Sequence, residues 1–331
     1  MNRIIALTTA LALLTGEASA QAVFVNWNNP GDGNWSAPAN WNPQVVPDNN
    51  GTTTYNVTIN SSSPLAPTTV TLDQQATVED VVLQSGAILS IANARILTID
   101  DSADFGRIEG GNFLLQSTAS QTGLRATGGV VTIENANIIL SNNGGNRIFA
   151  TDNAAGWEVM ADSTISGAGT LINNVGSFDN QGAILANQTT PLIINPADAL
   201  PMQNSGTMTA ADGSTLRIQG GTVTNSAAAT ISSDPGGRLE LINATINNGF
   251  ITNGSGNTLQ SQYATFNNAT INNAGTGLFD FTGDTTLVGG SFTNPTGGQI
   301  DIANSMDFFV DATTDFTNAG DININSSASQ T

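Results

Sequence analysis

Apolar residues alternate with polar ones in short bursts along most of this chain, as in Leu216-Arg217-Ile218 and Leu239-Glu240-Leu241. Alternation with a period of two places apolar side chains on one face of a strand and polar ones on the other. The bursts recur. An apolar residue, any residue and then Asn appears as Phe178-Asp179-Asn180, Met202-Gln203-Asn204, Val223-Thr224-Asn225 and Ile246-Asn247-Asn248. It returns as Ile271-Asn272-Asn273, Phe292-Thr293-Asn294 and Phe316-Thr317-Asn318. The Asn-to-Asn steps are 24, 21, 23, 25, 21 and 24, averaging 23. Two further apolar stations follow each Asn. One runs Ile184, Met208, Ile231, Ile251, Phe279, Ile300, Ile322; the other runs Leu192, Leu216, Leu239, Leu259, Leu287, Met306.

Three short strands per repeat, with Asn or Gly at the corner, predict one coil of a parallel β-helix. The predicted fold is therefore all-β, a right-handed parallel β-helix with coils of about 23 residues. A β-sandwich built on unrelated Asn turns is the competing fold, but it has no reason to keep this period. Asn suits a tight corner because it tolerates the left-handed conformation, and stacked Asn side chains can bond into a ladder. Before residue 178 the texture is similar but less regular, with strands expected at Val81–Leu83, Ile88–Ile91, Ile96–Ile99, Val130–Ile133 and Ile138–Leu140. A solenoid spanning residues 61–331 would hold roughly 11–12 coils and extend roughly 55 Å at about 4.8 Å per coil. In this register Arg217 and Glu240 lie one repeat apart on equivalent strands, so an ion pair between coils is expected.

The chain before the first coil differs. Arg3, the apolar run Ile4–Leu14 and Ala18-Ser19-Ala20 have the order of a signal peptide, which assigns residues 1–20 to export and the protein to a secreted, extracellular or cell-surface location. The alternative for this run is a buried N-terminal helix. Residues 21–60 hold Trp27, Asp32-Gly33-Asn34-Trp35, Asn40-Trp41 and Pro47 before a strand at Tyr55–Ile59. This segment resembles the start of bacterial autotransporter-passenger-like and related surface β-helix proteins. The resemblance is specific over most of this segment and generic in repeat style beyond it. It implies that residues 21–60 cap the open end of the helix. Trp27, Trp35 and Trp41 are thus either cap residues or, alternatively, a platform on which sugars stack. Full autotransporters also carry a membrane β-barrel, and this sequence has no stretch of that kind; the C-terminal end of the repeat is expected to be uncapped, either because the chain is a piece of a longer protein or because its last coil is open for end-to-end self-association.

Composition narrows the chemistry. Twenty-six acids face seven bases, all arginine, for a net charge of −19, and His and Cys are both absent. So acidic a surface disfavours nucleic acid and anionic membranes as partners, and no membrane insertion is expected. Without His or Cys there is no Ser-His-Asp triad, no Cys-His pair and no ordinary zinc site. Carboxylate chemistry remains. Asp280 and Asp301 lie one repeat apart at equivalent positions, so adjacent coils should stack them as a pair that shares a proton or binds a cation, with Ca2+ the one cofactor to consider. Asp307 lies one strand further on, and Asp100, Asp101 and Asp104 form a second acidic cluster, read as a loop. A solvated acidic face explains the same residues without a site.

Two classes of function follow. One is a non-catalytic extracellular structural or adhesive protein of a bacterial surface or matrix, its partners an extracellular polysaccharide or a surface protein. The other is a carbohydrate-active β-helix enzyme, a polysaccharide lyase or glycoside hydrolase using outer-face carboxylates. Short, small turns favour the first.

Overall fold

The computed structural model describes residues 20–61, 67–84, 86–102, 106–151, 153–173, 176–196 and 200–325. Residues 1–19 of the signal-peptide segment and Asp104 lie outside these residues. The described chain is almost wholly strand and turn, with one short 3-10 turn at Pro38–Asn40. Its strands form three sheets of 14, 13 and 12 members. Successive strands go to the first, second and third sheet in turn and then return to the first, one coil along. Asp80–Leu83, Ala87–Ile91 and Ile96–Asp100 make one such coil, and Arg107–Glu109 opens the next. Among the described residues all pairing between coils is parallel, apart from one short antiparallel pair at the N-terminal end. This is a β-solenoid of about 11 turns.

Alternation within each strand produces the core. Along the second sheet Ile184, Met208, Ile231, Ile251, Ile271 and Phe292 stack in one buried column. Leu216, Leu239, Leu259, Phe279 and Ile300 do the same in the third. Each fully buried side chain of this size contributes about 1.5–3 kcal/mol relative to exposure, so the chain needs no disulfide to hold its coils together. Towards the C-terminal end phenylalanine rings stack both along a column, Phe292 on Phe316 at 5.2 Å, and across the core between columns, Phe279 on Phe292 at 5.3 Å.

The register expected from the repeat holds from Phe178 to Leu259 and then slips by one sheet. Asn180, Asn204 and Asn225 close strands of the first sheet, whereas Asn273, Asn294 and Asn318 close strands of the second. The apolar stations shift with them: Phe279 pairs with Leu259 in the third sheet, not with Ile251 in the second. The cause is a shortening of the coils. Along the second sheet the steps from Ile184 through Met208, Ile231, Ile251, Ile271 and Phe292 to Phe316 are 24, 23, 20, 20, 21 and 24. Asn253, which ends Phe250–Asn253 with the same apolar-x-Asn pattern, is the true predecessor of Asn273.

The asparagines therefore form two ladders, buried except at the last rung of the second, where Asn318 is exposed. In the first, Asn180 Nδ2 donates to Asn204 Oδ1 at 2.8 Å, and Asn204 Nδ2 to Asn225 Oδ1 at 2.8 Å. The second runs Asn253 to Asn273 to Asn294 to Asn318, at 2.8, 2.8 and 2.7 Å. The left-handed conformation expected of the ladder residues belongs elsewhere. Among the described asparagines it occurs at Asn135, Asn243, Asn248 and Asn268, in tight corners between strands. Of the expected Asn series only Asn248 adopts it, and that residue contributes a backbone carbonyl to Asn225 Nδ2 rather than an amide rung.

The tryptophan segment covers the N-terminal edges of all three sheets. Gln21–Trp27 lies parallel to Thr53–Ile59, and Trp41–Asn42 pairs antiparallel on its outer side, closing the first sheet. Gly33–Asn34 ends the second sheet against Val70 and Thr71, helped by Asp32 Oδ1, which accepts from Thr69 N at 2.7 Å. At the third sheet's first strand, Asp48 Oδ1 accepts from Thr77 N at 2.9 Å and Asn49 N donates to Thr77 O at 2.6 Å. Edge groups that would otherwise template another chain are satisfied in this way.

Candidate functional site

Ionic residues face outward on two sheets: Arg107 meets Asp80 and Glu109 on the first, and the third carries a longer run. One column of neighbouring positions runs Arg217, Glu240, Gln260, Asp280, Asp301 and Asn323. Arg217 Nε meets Glu240 Oε2 at 2.7 Å, the contact expected from their spacing of one repeat, and Arg238 Nε meets Glu240 Oε1 at 2.8 Å. Arg238 also donates to Gln260 Oε1. Glu240 is largely buried beneath the two guanidiniums.

Asp280 and Asp301 occupy adjacent coils as neighbouring positions of this column. Burial raises the Asp280 carboxyl above its ordinary range; Arg238 opposes the rise and Asp301 adds to it. Asp301 Oδ1 accepts from Gln299 Nε2 at 2.7 Å and from Asn323 Nδ2 at 2.9 Å. The two amide donors tie Asp301 Oδ1 into the polar column. Among the described residues no group of three Asp or Glu side chains converges on one point. Asp307 stands apart in the corner before Phe308–Val310, its backbone N–H donating to Asp284 Oδ1 at 3.0 Å. Asp100 ends the strand Ile96–Asp100, and Asp101 lies at the corner that follows, where its Oδ1 accepts from Gly106 N.

Trp27, Trp35 and Trp41 are buried, the last two completely. Trp41 stands edge-on to both others at centroid distances of 4.9 Å. Trp35 Nε1 donates to Pro47 O at 3.0 Å, and Trp41 Nε1 to Trp35 O at 2.8 Å. Their faces are consumed by one another and by the first coil, which leaves none for a sugar; the platform alternative is corrected on that ground.

The second sheet presents a surface of a different kind, which attention to carboxylates alone overlooks. From Thr207 to Thr293 its outward positions are hydroxyl or amide side chains and one aromatic, Phe250, with no charge among them. The signal was present in sequence as Thr207-Met208-Thr209, Thr230-Ile231-Ser232 and Thr270-Ile271-Asn272, where the residues flanking the buried apolar one are polar and uncharged. Phe250 is 45 % exposed and lies between Thr230 and Thr270 on the neighbouring coils. It borders an open groove of about 440 Å3 that Asn248, Asn268 and Thr270 also line.

These features define a parallel β-solenoid with a capped N-terminal end, ionic residues on its first and third sheets and a neutral hydroxyl-amide face along the second. No known protein family, curated protein or solved structure matches the chain.

Proposed function

We propose that the protein is a non-catalytic structural or adhesive solenoid of a bacterial surface or extracellular matrix, related in style to autotransporter passengers. The observation that carries this is the repetition of the coil itself: strand follows strand along sheets of 14, 13 and 12 members, and the buried apolar stations recur at the same place in each turn. Single-site chemistry needs one place unlike the rest. A surface that repeats along an axis suits a repeating partner or a spacer of fixed length. The signal-peptide pattern at residues 1–20 supports an exported location.

The enzymatic alternative draws on Asp280, whose carboxyl is raised by burial beside Asp301. Incubation of the purified protein with neutral and anionic polysaccharides separates the two. Unchanged polymer length is the expected result, and reproducible depolymerisation would overturn the structural proposal.

A further inference from the structure

We infer that the groove beside Phe250 binds a neutral polysaccharide lying along the second sheet, an inference that rests on the adhesive role proposed above. Three observations converge there. First, Phe250 presents an aromatic side chain to solvent at a position whose neighbours on both sides are threonine, so the ring stands clear of large side chains. Second, the groove has a volume within the range of small-molecule sites, and it sets one aromatic ring among polar side chains, those of Asn248, Asn268 and Thr270. Third, three of the groove's polar groups are free to bond a ligand. No hydrogen bond within the described residues engages the side-chain amides of Asn248 and Asn268 or the hydroxyl of Thr270, nor that of Thr230 on the coil beside them, whereas Asn225 is committed to its ladder.

The backbone behind these groups is fixed. Asn248 and Asn268 both hold left-handed conformations, and their N–H groups donate to Asn267 O and Val288 O at 2.8 Å each. Asn225 Nδ2 donates to the Asn248 carbonyl at 3.1 Å. Asn248 and Asn268 therefore project amides from a rigid corner on successive coils. The contrast with the equivalent outer positions of the first sheet is informative: there Asn267 Nδ2 donates to Asn247 Oδ1 at 2.9 Å, so those amides are spent on each other.

The chemistry selects the ligand. A sugar ring offers an apolar C–H face that stacks on an aromatic ring and a rim of hydroxyls that both donate and accept. Phe250 suits the first, and the Asn amides and Thr hydroxyls suit the second. Neutrality follows from charge. The protein carries a net −19, which repels acidic polymers, while this face holds no cation to attract them. A polymer along the axis would meet Thr230, Phe250, Thr270 and Ser291 in succession, about 4.8 Å apart.

The test is affinity electrophoresis of the full chain through gels containing hydroxyethyl cellulose, xylan or dextran, with alginate as the anionic comparison. At least one neutral polymer should retard the protein and alginate should not. Phe250→Ala should weaken retardation by about tenfold, the scale of losing a central aromatic anchor, while Phe250→Trp retains it. Circular dichroism and the melting temperature of Phe250→Ala establish that the fold is intact. Retardation unchanged by Phe250→Ala would overturn the site and leave the adhesive role standing, and so would equal retardation by alginate. Failure of all three neutral polymers would overturn the inference, whereas shortening of the polymers would count against the non-catalytic role instead.

Discussion

Replacing Asn273 with Ala removes the middle rung of the second buried ladder. The Asn273 amide accepts from Asn253 Nδ2 at 2.8 Å and donates to Asn294 Oδ1 and Gly277 O at 2.8 Å and to Gln299 O at 3.2 Å. Asn253 Nδ2 keeps two carbonyl partners, Asn257 O and Leu278 O. Asn294 Oδ1 finds no second donor among the described residues and is left buried without a bond. An unpaired buried polar atom costs about 1–3 kcal/mol, and the other bonds lost place the total for Asn273→Ala at about 3 kcal/mol. Asn267→Ala provides the comparison. It breaks a bond of similar length to Asn247 on the outer face, where water replaces the amide, so its cost should stay below about 1 kcal/mol. Equilibrium urea unfolding of both variants, followed by far-UV circular dichroism, measures the difference. Amide hydrogen exchange localises it, since solenoid stability is approximately a sum over neighbouring repeats. Equal destabilisation by the two substitutions would refute the reasoning, because burial would then have no bearing on the worth of a rung.

Other perturbations have equally definite outcomes. Glu240→Ala leaves Arg217 and Arg238 facing each other without their shared carboxylate, and should cost more than either Arg→Ala change, about 1–3 against 0–1 kcal/mol in urea unfolding. Trp35→Ala empties a fully buried indole site under the N-terminal edge and should cost about 3–5 kcal/mol, with loss of near-UV dichroism; a smaller change would mean the segment does not seal the first coil. Asp280→Asn addresses pH. A carboxyl whose folded pKa is raised penalises the folded state only when ionised, so the penalty is absent below the unfolded pKa and complete above the folded one. The variant should therefore be more stable than the parent at pH 7 and lose that advantage on acidification below the ordinary carboxylate range. A stability difference independent of pH would contradict the assignment.

Much of this architecture is legible in the sequence because alternation and burial are the same fact seen twice. Leu216-Arg217-Ile218 and Leu239-Glu240-Leu241 pair residue for residue, and the Arg217–Glu240 contact follows from their spacing alone. The register fails where the coil shortens, at Ile231 to Ile251 to Ile271, because apolar-x-Asn ends strands of two different sheets. Local sequence specifies a strand followed by a corner, and nothing in it says which corner. Asp280 and Asp301 survived the slip because both moved together. The neutral face was harder to find. Threonine, serine and asparagine serve equally as strand formers and turn residues, and only their alignment in space turns Thr230, Phe250 and Thr270 into one surface.

The parallel pairing of coils also determines how the molecule bears load. Hydrogen bonds between neighbouring coils run along the solenoid axis, so a pull applied between its ends acts on them directly and peels strands from one end in turn. Each coil so released frees about 20–24 residues, about 70–80 Å of extended chain, in exchange for the about 4.8 Å it occupied in the stack. The released chain lengthens more than tenfold per coil while the coils still stacked keep their pairing.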